Sequence, residues 1–307
     1  MRCARVYRDL VEAAIFSQYA EAEIGEIADY VEAVPGKYPD PEWDCWGTEF
    51  VLGKASAYPI RTWKEFEHQA SSELKDPLSS LLESLARIKK DEQVWIQILI
   101  WPTDQGWAKE ASHVVKKMMG KEVKKKPTIP EMIGGHAVDL VHGTVKQILN
   151  PPDAKPEAKK EEKAPTLTSG EKKVLEAIEN KMSKVGFKCK MRLVYVGKRS
   201  AFRKGAVLSM LKGAIGVFGS LDANGFKGYG PVTPKSDYFW QAWSAEKKKN
   251  AVFKAYKGRS GAGAPPYILN IEELATLWHF PQILVKAPLI KKVDSKKVEP
   301  PFTLPSL

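Results

Sequence analysis

Apolar positions along the first half of the chain change period several times, and each change marks an element. From Arg5 to Tyr19, Val6, Leu10, Ala13, Ala14 and Ser17 fall near one stripe while Arg8, Asp9 and Glu12 fall off it, which predicts a helix. From Glu23 to Val34 the period drops to two. Ile24, Glu26, Ala28 and Tyr30 alternate with Gly25, Ile27, Asp29 and Val31, a strand ended by the Pro- and Gly-containing run after Val34. A second strand is predicted over Thr48–Lys54. Asp76-Pro77 has the form of an N-cap followed by proline at the first helical position, and Leu78, Leu81, Leu82, Leu85 and Ile88 supply the core-facing stripe. Glu92–Trp101, EQVWIQILIW, is the strongest strand of the chain, and its near-continuous apolar character predicts a central position. Trp107–Gly120 and Ile129–Leu149 are helical by pattern, with the lysines from Lys116 to Lys126 forming a solvated turn between them.

The second half repeats the theme. Ser169–Val185 reads as a helix capped by Ser169, and Phe187–Val196 as a strand with Lys188, Lys190 and Arg192 on one face. Ala201–Phe218 is a helix, Ser220–Phe226 a polar turn around Asn224-Gly225, and Ser244–Lys257 a basic helix. Pro265–Leu269 is a short strand. Asn270 then caps a helix over Ile271–Trp278, with Glu273 completing a capping box.

The first half thus gives helix, strand, strand, helix, strand, which is a βαββαβ unit without its first strand. The expected fold class is α+β, with two ferredoxin-like-type α/β sandwich subdomains, the first lacking its opening strand. Residues 1–149 form the first subdomain with trailing helices. Residues 150–168, rich in Pro, Lys and Glu, form a linker with too few large apolar side chains to fold alone. Residues 169–285 form the second, basic subdomain, and 286–307 an extended tail.

Charge sharpens this division. The 307 residues carry a formal charge of +11. Residues 1–150 hold 19 Lys and Arg against 23 Asp and Glu, whereas residues 151–307 hold 29 against 14. Such asymmetry is compatible with a polyanionic partner for the second half, and equally with a solubilising lysine surface. The three cysteines, Cys3, Cys45 and Cys189, form no C-x-x-C and no even set, so neither a disulfide framework nor a thiolate zinc site is expected, and a reducing compartment is. No apolar run is long enough to span a bilayer.

Candidate chemistry is sparse. Gly228–Ser236 approaches a phosphate-binding loop, but Tyr229 stands at the first glycine position and Pro234 before the lysine, and proline offers no N–H to a phosphate. Gly258–Gly263 is a loop able to contact phosphate, though a simple turn explains it as well. The five histidines, His68, His113, His136, His142 and His279, show no metal-ligand spacing, and no nucleophile–base pattern stands out. No cofactor and no catalytic or metal residue is assigned. For nucleic acid, the candidate contacts are Lys188, Lys190, Arg192, Lys198, Arg199, Arg203 and Lys204, with Tyr195, Phe202, Tyr238, Phe239 and Trp240 as aromatics that either stack on bases or fill the core.

Three segments resemble a known family: Leu211–Phe226 (LKGAIGVFGSLDANGF), Tyr267–Pro281 (YILNIEELATLWHFP) and Ser295–Pro305 (SKKVEPPFTLP), supported by Asp29–Val31 and Trp95–Ile100. Together they look like the region ahead of the motor domain in bacterial type IV secretion and conjugation ATPases, coupling-protein-like members of the HerA/FtsK superfamily. The EELATLWHFP run is the most specific part. In that family the tail leads into a Walker A loop, which has no counterpart here, so no nucleotide-binding residue carries over. The resemblance implies a non-catalytic accessory module of a longer or multi-subunit ATPase. Its implied partners are subunits of that ATPase, the type IV secretion membrane complex and DNA, and its implied location is the cytoplasm at the inner face of the membrane, reached through the complex. The alternative is an independent nucleic-acid-binding protein using the basic half.

Overall fold

The computed structural model describes residues 1–20, 22–66, 76–104, 106–120, 167–236 and 238–280. The helix predicted over Ile129–Leu149, most of the 150–168 linker and the 286–307 tail lie outside them. The fold is α+β, as the pattern predicted. Its strands are β1 (Trp43–Leu52), β2 (Glu92–Pro102), β3 (Gly186–Lys198), β4 (Phe226–Gly228) and β5 (Tyr267–Asn270). Its helices are α1 (Arg8–Phe16), α2 (Ser79–Ala86), α3 (Gly106–Met118), α4 (Ser169–Met182), α5 (Lys204–Gly216), α6 (Ala242–Lys257) and α7 (Ile271–Leu277).

Among the described residues all five strands join one antiparallel sheet in the order β2-β3-β1-β4, with β5 pairing β3 beyond the end of β1. This changes the expected organisation. β3 follows the linker in sequence but lies between β1 and β2, which precede it, so the two halves share a sheet rather than forming two subdomains. Cross-strand pairing explains why: Trp46, Phe50 and Ile96 present apolar side chains that only Met191, Leu193 and Tyr195 of β3 complete.

Helices cover both faces. On one, Leu81 and Leu85 of α2 and Val207, Leu211 and Ile215 of α5 pack on Phe50, Met191, Leu193 and Tyr195. On the other, Val252, Phe253 and Tyr256 of α6 pack on Cys45, Trp95, Val194 and Val196. β5 and α7 close one end through Leu269 and Leu277, and α3 packs on α4 through Trp107, Ala111 and Ile178.

Three further expectations are corrected. The strand predicted over Glu23–Val34 is absent; the chain there is irregular until a 3-10 turn at Tyr30–Ala33. The Asp29 carboxylate accepts from the Val31 N–H at 3.4 Å and turns the chain, which buries Val31 and leaves Ile27 exposed. β2 is an edge strand, pairing β3 alone among the described residues. Helices lie on both of its faces: Trp95 packs with Val252 and Phe253 of α6, and Val94, Ile96 and Ile98 pack with the cluster that holds Leu81, Leu85, Val207 and Leu211 of α2 and α5. The α4 cap is Thr168, one residue earlier than expected. Its hydroxyl accepts from the Glu171 N–H at 3.3 Å, and Glu171 accepts from the Thr168 N–H at 2.8 Å.

The capping box at Asn270 and Glu273 forms as its spacing predicted, and Glu273 does more than cap. Fully buried, it accepts from the backbone of Ile60 and Asn270, both at 2.8 Å, and pairs with the equally buried Lys181 of α4 at 3.0 Å. Burial pushes the Lys181 pKa down, and the Glu273 charge opposes that shift. Asn224, from the predicted polar turn, is likewise buried. Its side chain accepts from Lys54 N–H at 2.9 Å and donates to the carbonyls of Ala55 and Tyr58 at 3.0 and 3.1 Å. Among the described residues no helix is long and apolar enough to cross a membrane.

Candidate nucleic-acid interface

The cations expected to meet phosphate divide into buried and exposed groups. β3 alternates, so Lys188, Lys190 and Arg192 do share a face, but that face lies under the C-terminal end of α6. Arg192 is fully buried and Lys190 nearly so, while Lys188 is exposed. Their counter-charge is Glu49 of β1, directly opposite Arg192 in register. Arg192 Nε donates to Glu49 at 2.5 Å, and Nη1 to the Gln97 side chain and the Ala255 carbonyl, both at 3.1 Å. Its remaining nitrogen reaches the Ala262 carbonyl. Lys190 donates to the carbonyls of Gly261 and Ala262 at 2.6 and 2.9 Å and lies 3.4 Å from Glu49. Burial pushes the Lys190 pKa down, and Glu49 opposes the shift. Two cations against one carboxylate leave an excess positive charge, which the carbonyls of the 261–262 loop and the last turn of α6 offset as dipoles.

This arrangement also settles the geometry of the Gly258–Gly263 loop. It turns carbonyls toward cations, the reverse of a phosphate cradle. Gly263 has φ +104°, and a Cβ there would strike the Glu49 carboxylate, so only glycine fits.

The remaining nominated cations lie around the far end of the sheet. Arg203 donates to Glu92 at 2.9 Å and to the Arg87 carbonyl at 2.8 Å. Glu92 also accepts from the Tyr195 hydroxyl at 2.6 Å. Burial alone would raise the Glu92 pKa, but donation from Arg203 and Tyr195 outweighs it and brings the value to about 2. Lys198 sits 3.1 Å from Asp91, and Arg199 donates to the Asp40 carbonyl at 2.8 Å. Lys204 is exposed at the start of α5. The seven residues therefore do not form one surface. Tyr195 and Phe202 stack on each other with ring centroids 4.6 Å apart, against the α2–α5 side of the sheet.

The other three aromatics are placed differently. Tyr238, Phe239 and Trp240 lead into α6 in a short 3-10 turn, Phe239–Gln241, and are exposed; Phe239 is 85% and the neighbouring Trp243 68% accessible. Tyr238 and Trp240 stack face to face, centroids 4.7 Å apart and planes 3° from parallel. In α6, the residues Val252, Phe253 and Tyr256 take the core side. Trp243, Lys247, Asn250 and Lys254, spaced four, three and four, form the opposite stripe. The Lys247 ammonium lies 3.4 Å from the Trp243 ring centroid.

A groove of about 910 Å³ runs along this stripe, bounded by Gly36–Pro39 on its other side. Asn250 fixes that wall by accepting from the Tyr38 N–H at 2.8 Å. Lys37, Lys247, Lys254 and Lys257 line the groove with Glu246, Lys257 being ion-paired to Glu32 at 2.8 Å, and Lys249 beside it pairs with Asp44 at 2.6 Å. Sequence reasoning missed Trp243, Lys247 and Lys254 as a unit. The signal was present: a tryptophan followed at helical spacing by lysines, directly after an aromatic triplet.

A mixed α+β chain, whose described strands form an antiparallel sheet and one of whose covering helices carries a groove lined by Trp243 and lysines, is the class these features define. The chain belongs to the family described as Domain of unknown function (DUF8128), whose model matches residues 5–205. That match takes in β1, β2 and β3, while the groove helix α6 lies beyond it. No curated protein and no solved structure matches the chain.

Proposed function

We propose that this chain is a non-catalytic module that holds single-stranded nucleic acid, serving as an accessory part of a type IV secretion or conjugation ATPase. The observation that carries the binding role is exposed Trp243, which lines a groove with Lys247 and Lys254 and follows the exposed run Tyr238, Phe239 and Trp240 in the chain. Aromatic faces stack on bases without regard to sequence, and flanking lysines follow the phosphates. An apolar partner protein would use the aromatics but not the lysines. The accessory role rests on the resemblance of Leu211–Phe226, Tyr267–Pro281 and Ser295–Pro305 to the segments ahead of the motor in those ATPases. In that setting the chain would reach the inner face of the membrane through its complex.

The test is fluorescence anisotropy with a labelled thymidine oligonucleotide over a salt series. Contacts from Lys37, Lys247 and Lys254 to three phosphates of a single strand give a log–log slope of about −2. Trp243→Ala should weaken binding by about tenfold, as loss of one stacked base removes roughly 1–3 kcal/mol. Binding unchanged by salt and by this substitution would overturn the nucleic-acid reading, and ATP hydrolysis by the purified chain would overturn the non-catalytic one.

A further inference from the structure

β2 has the composition of an interior strand but occupies an edge. Among the described residues its backbone pairs with β3 and with no other strand. β3, flanked on both sides, buries Cys189 through Gly197 without interruption. β2 buries only Glu92 and Trp95 in its eleven residues; Val94, Ile96, Ile98 and Leu99 remain half-buried and Ile100 is 51% exposed. The same shortfall continues into α2, where Leu81, Leu82 and Leu85 pack beside Ile98 or Val94 yet none is fully buried. Soluble proteins protect such edges with lysines, interior prolines or bulges. β2 has no lysine, its one proline is the terminal Pro102, and its eleven-residue register with β3 runs without a break.

We infer that the outer edge of β2 pairs with β2 of a second copy of this chain, joining two sheets into one across a two-fold axis. The strand is self-complementary about Gln97. Antiparallel pairing there sets Ile96 against Ile98, Trp95 against Leu99 and Val94 against Ile100, apolar with apolar, with Gln97 against itself and Gln93 against Trp101 nearer the ends. The single charged residue, Glu92, falls opposite Pro102 and is already neutralised by Arg203, so no like charges meet. Because the pairing keeps each face with its equivalent, the two α2 helices come to lie on the same side of the joined sheet. Their half-buried leucines then gain the cover a single copy does not supply.

The experiment is sedimentation of the full 307-residue chain over about 1–100 µM, the range in which a micromolar association shows. The expected species has twice the 34.3 kDa chain mass. Ile100→Lys, at an exposed position outside the core clusters, should shift the dimer to monomer by at least about tenfold in concentration with unchanged circular dichroism. Amide exchange across residues 92–102 of the unmodified chain should slow as concentration rises. A monomer at every concentration, or a dimer that Ile100→Lys leaves intact, would overturn the inference. Concentration-independent exchange in β2 would do the same without reliance on any variant.

Discussion

Replacing Glu92 by Gln tests whether Arg203 is a structural cation rather than a phosphate contact. The carboxylate is buried, accepts from Arg203 and Tyr195, and has its pKa brought to about 2. A free glutamate titrates at about 4.3, so folding favours the charged form by roughly 3 kcal/mol. Arg203 keeps part of its side chain in water, which trims the figure to about 2–3 kcal/mol. The sign follows from the depressed value. Above about pH 5 both folded and unfolded states are ionised and the stabilisation is complete. As pH falls the unfolded chain binds the proton first, and the contribution is gone near pH 2, where the folded carboxyl also protonates. Urea unfolding followed by tryptophan fluorescence at neutral pH and at about pH 3.5 should show the Glu92→Gln deficit shrinking with acidity. A deficit of the same size at both pH values, or none at neutral pH, would refute the reasoning.

Glu49→Gln leaves Lys190 and Arg192 buried without their counter-charge and should cost about 3–5 kcal/mol in the same unfolding assay. Gly263→Ala forces a side chain into a left-handed backbone position and into the Glu49 carboxylate, so a loss of at least about 1–2 kcal/mol is expected. Asn224→Ala strips a partner from the part-buried carbonyls of Ala55 and Tyr58 and from the Lys54 N–H, and should lower stability by about 2 kcal/mol in calorimetry. Lys188→Ala, at an exposed site on the strand, should leave stability within about 0.5 kcal/mol of the unmodified chain and leave oligonucleotide affinity unchanged.

Much of the local structure was legible because it depends on local signals. The Asn270–Glu273 capping box, the α2 leucine stripe and the boundaries of β2 follow from spacing alone. What spacing could not show was which strands share a sheet. β3 inserts between β1 and β2 because side chains more than ninety residues away complete its pairs, as Arg192 and Gln97 illustrate. The same long-range pairing misdirected the site. Lys190 and Arg192 alternate as solvent-facing cations do, and only the fold brings Glu49 and the end of α6 over them. A lone glutamate amid Phe50, Val51 and Leu52 was the available clue. Conversely, Tyr238, Phe239 and Trp240 look like core in sequence, since most aromatics are. They are exposed because the 3-10 turn they occupy lies outside both helix–sheet interfaces.

The Tyr238–Lys254 face is proposed to bind single-stranded nucleic acid. Anisotropy titration of a labelled thymidine oligonucleotide against the unmodified chain and a Trp240→Ala/Trp243→Ala double variant, at about 50 and 200 mM salt, tests it most directly. The unmodified chain should bind, with affinity that weakens about tenfold or more with salt and falls at least about tenfold further in the double variant. Equal affinity of the two proteins, or no binding by the unmodified chain at the lower salt, would contradict it.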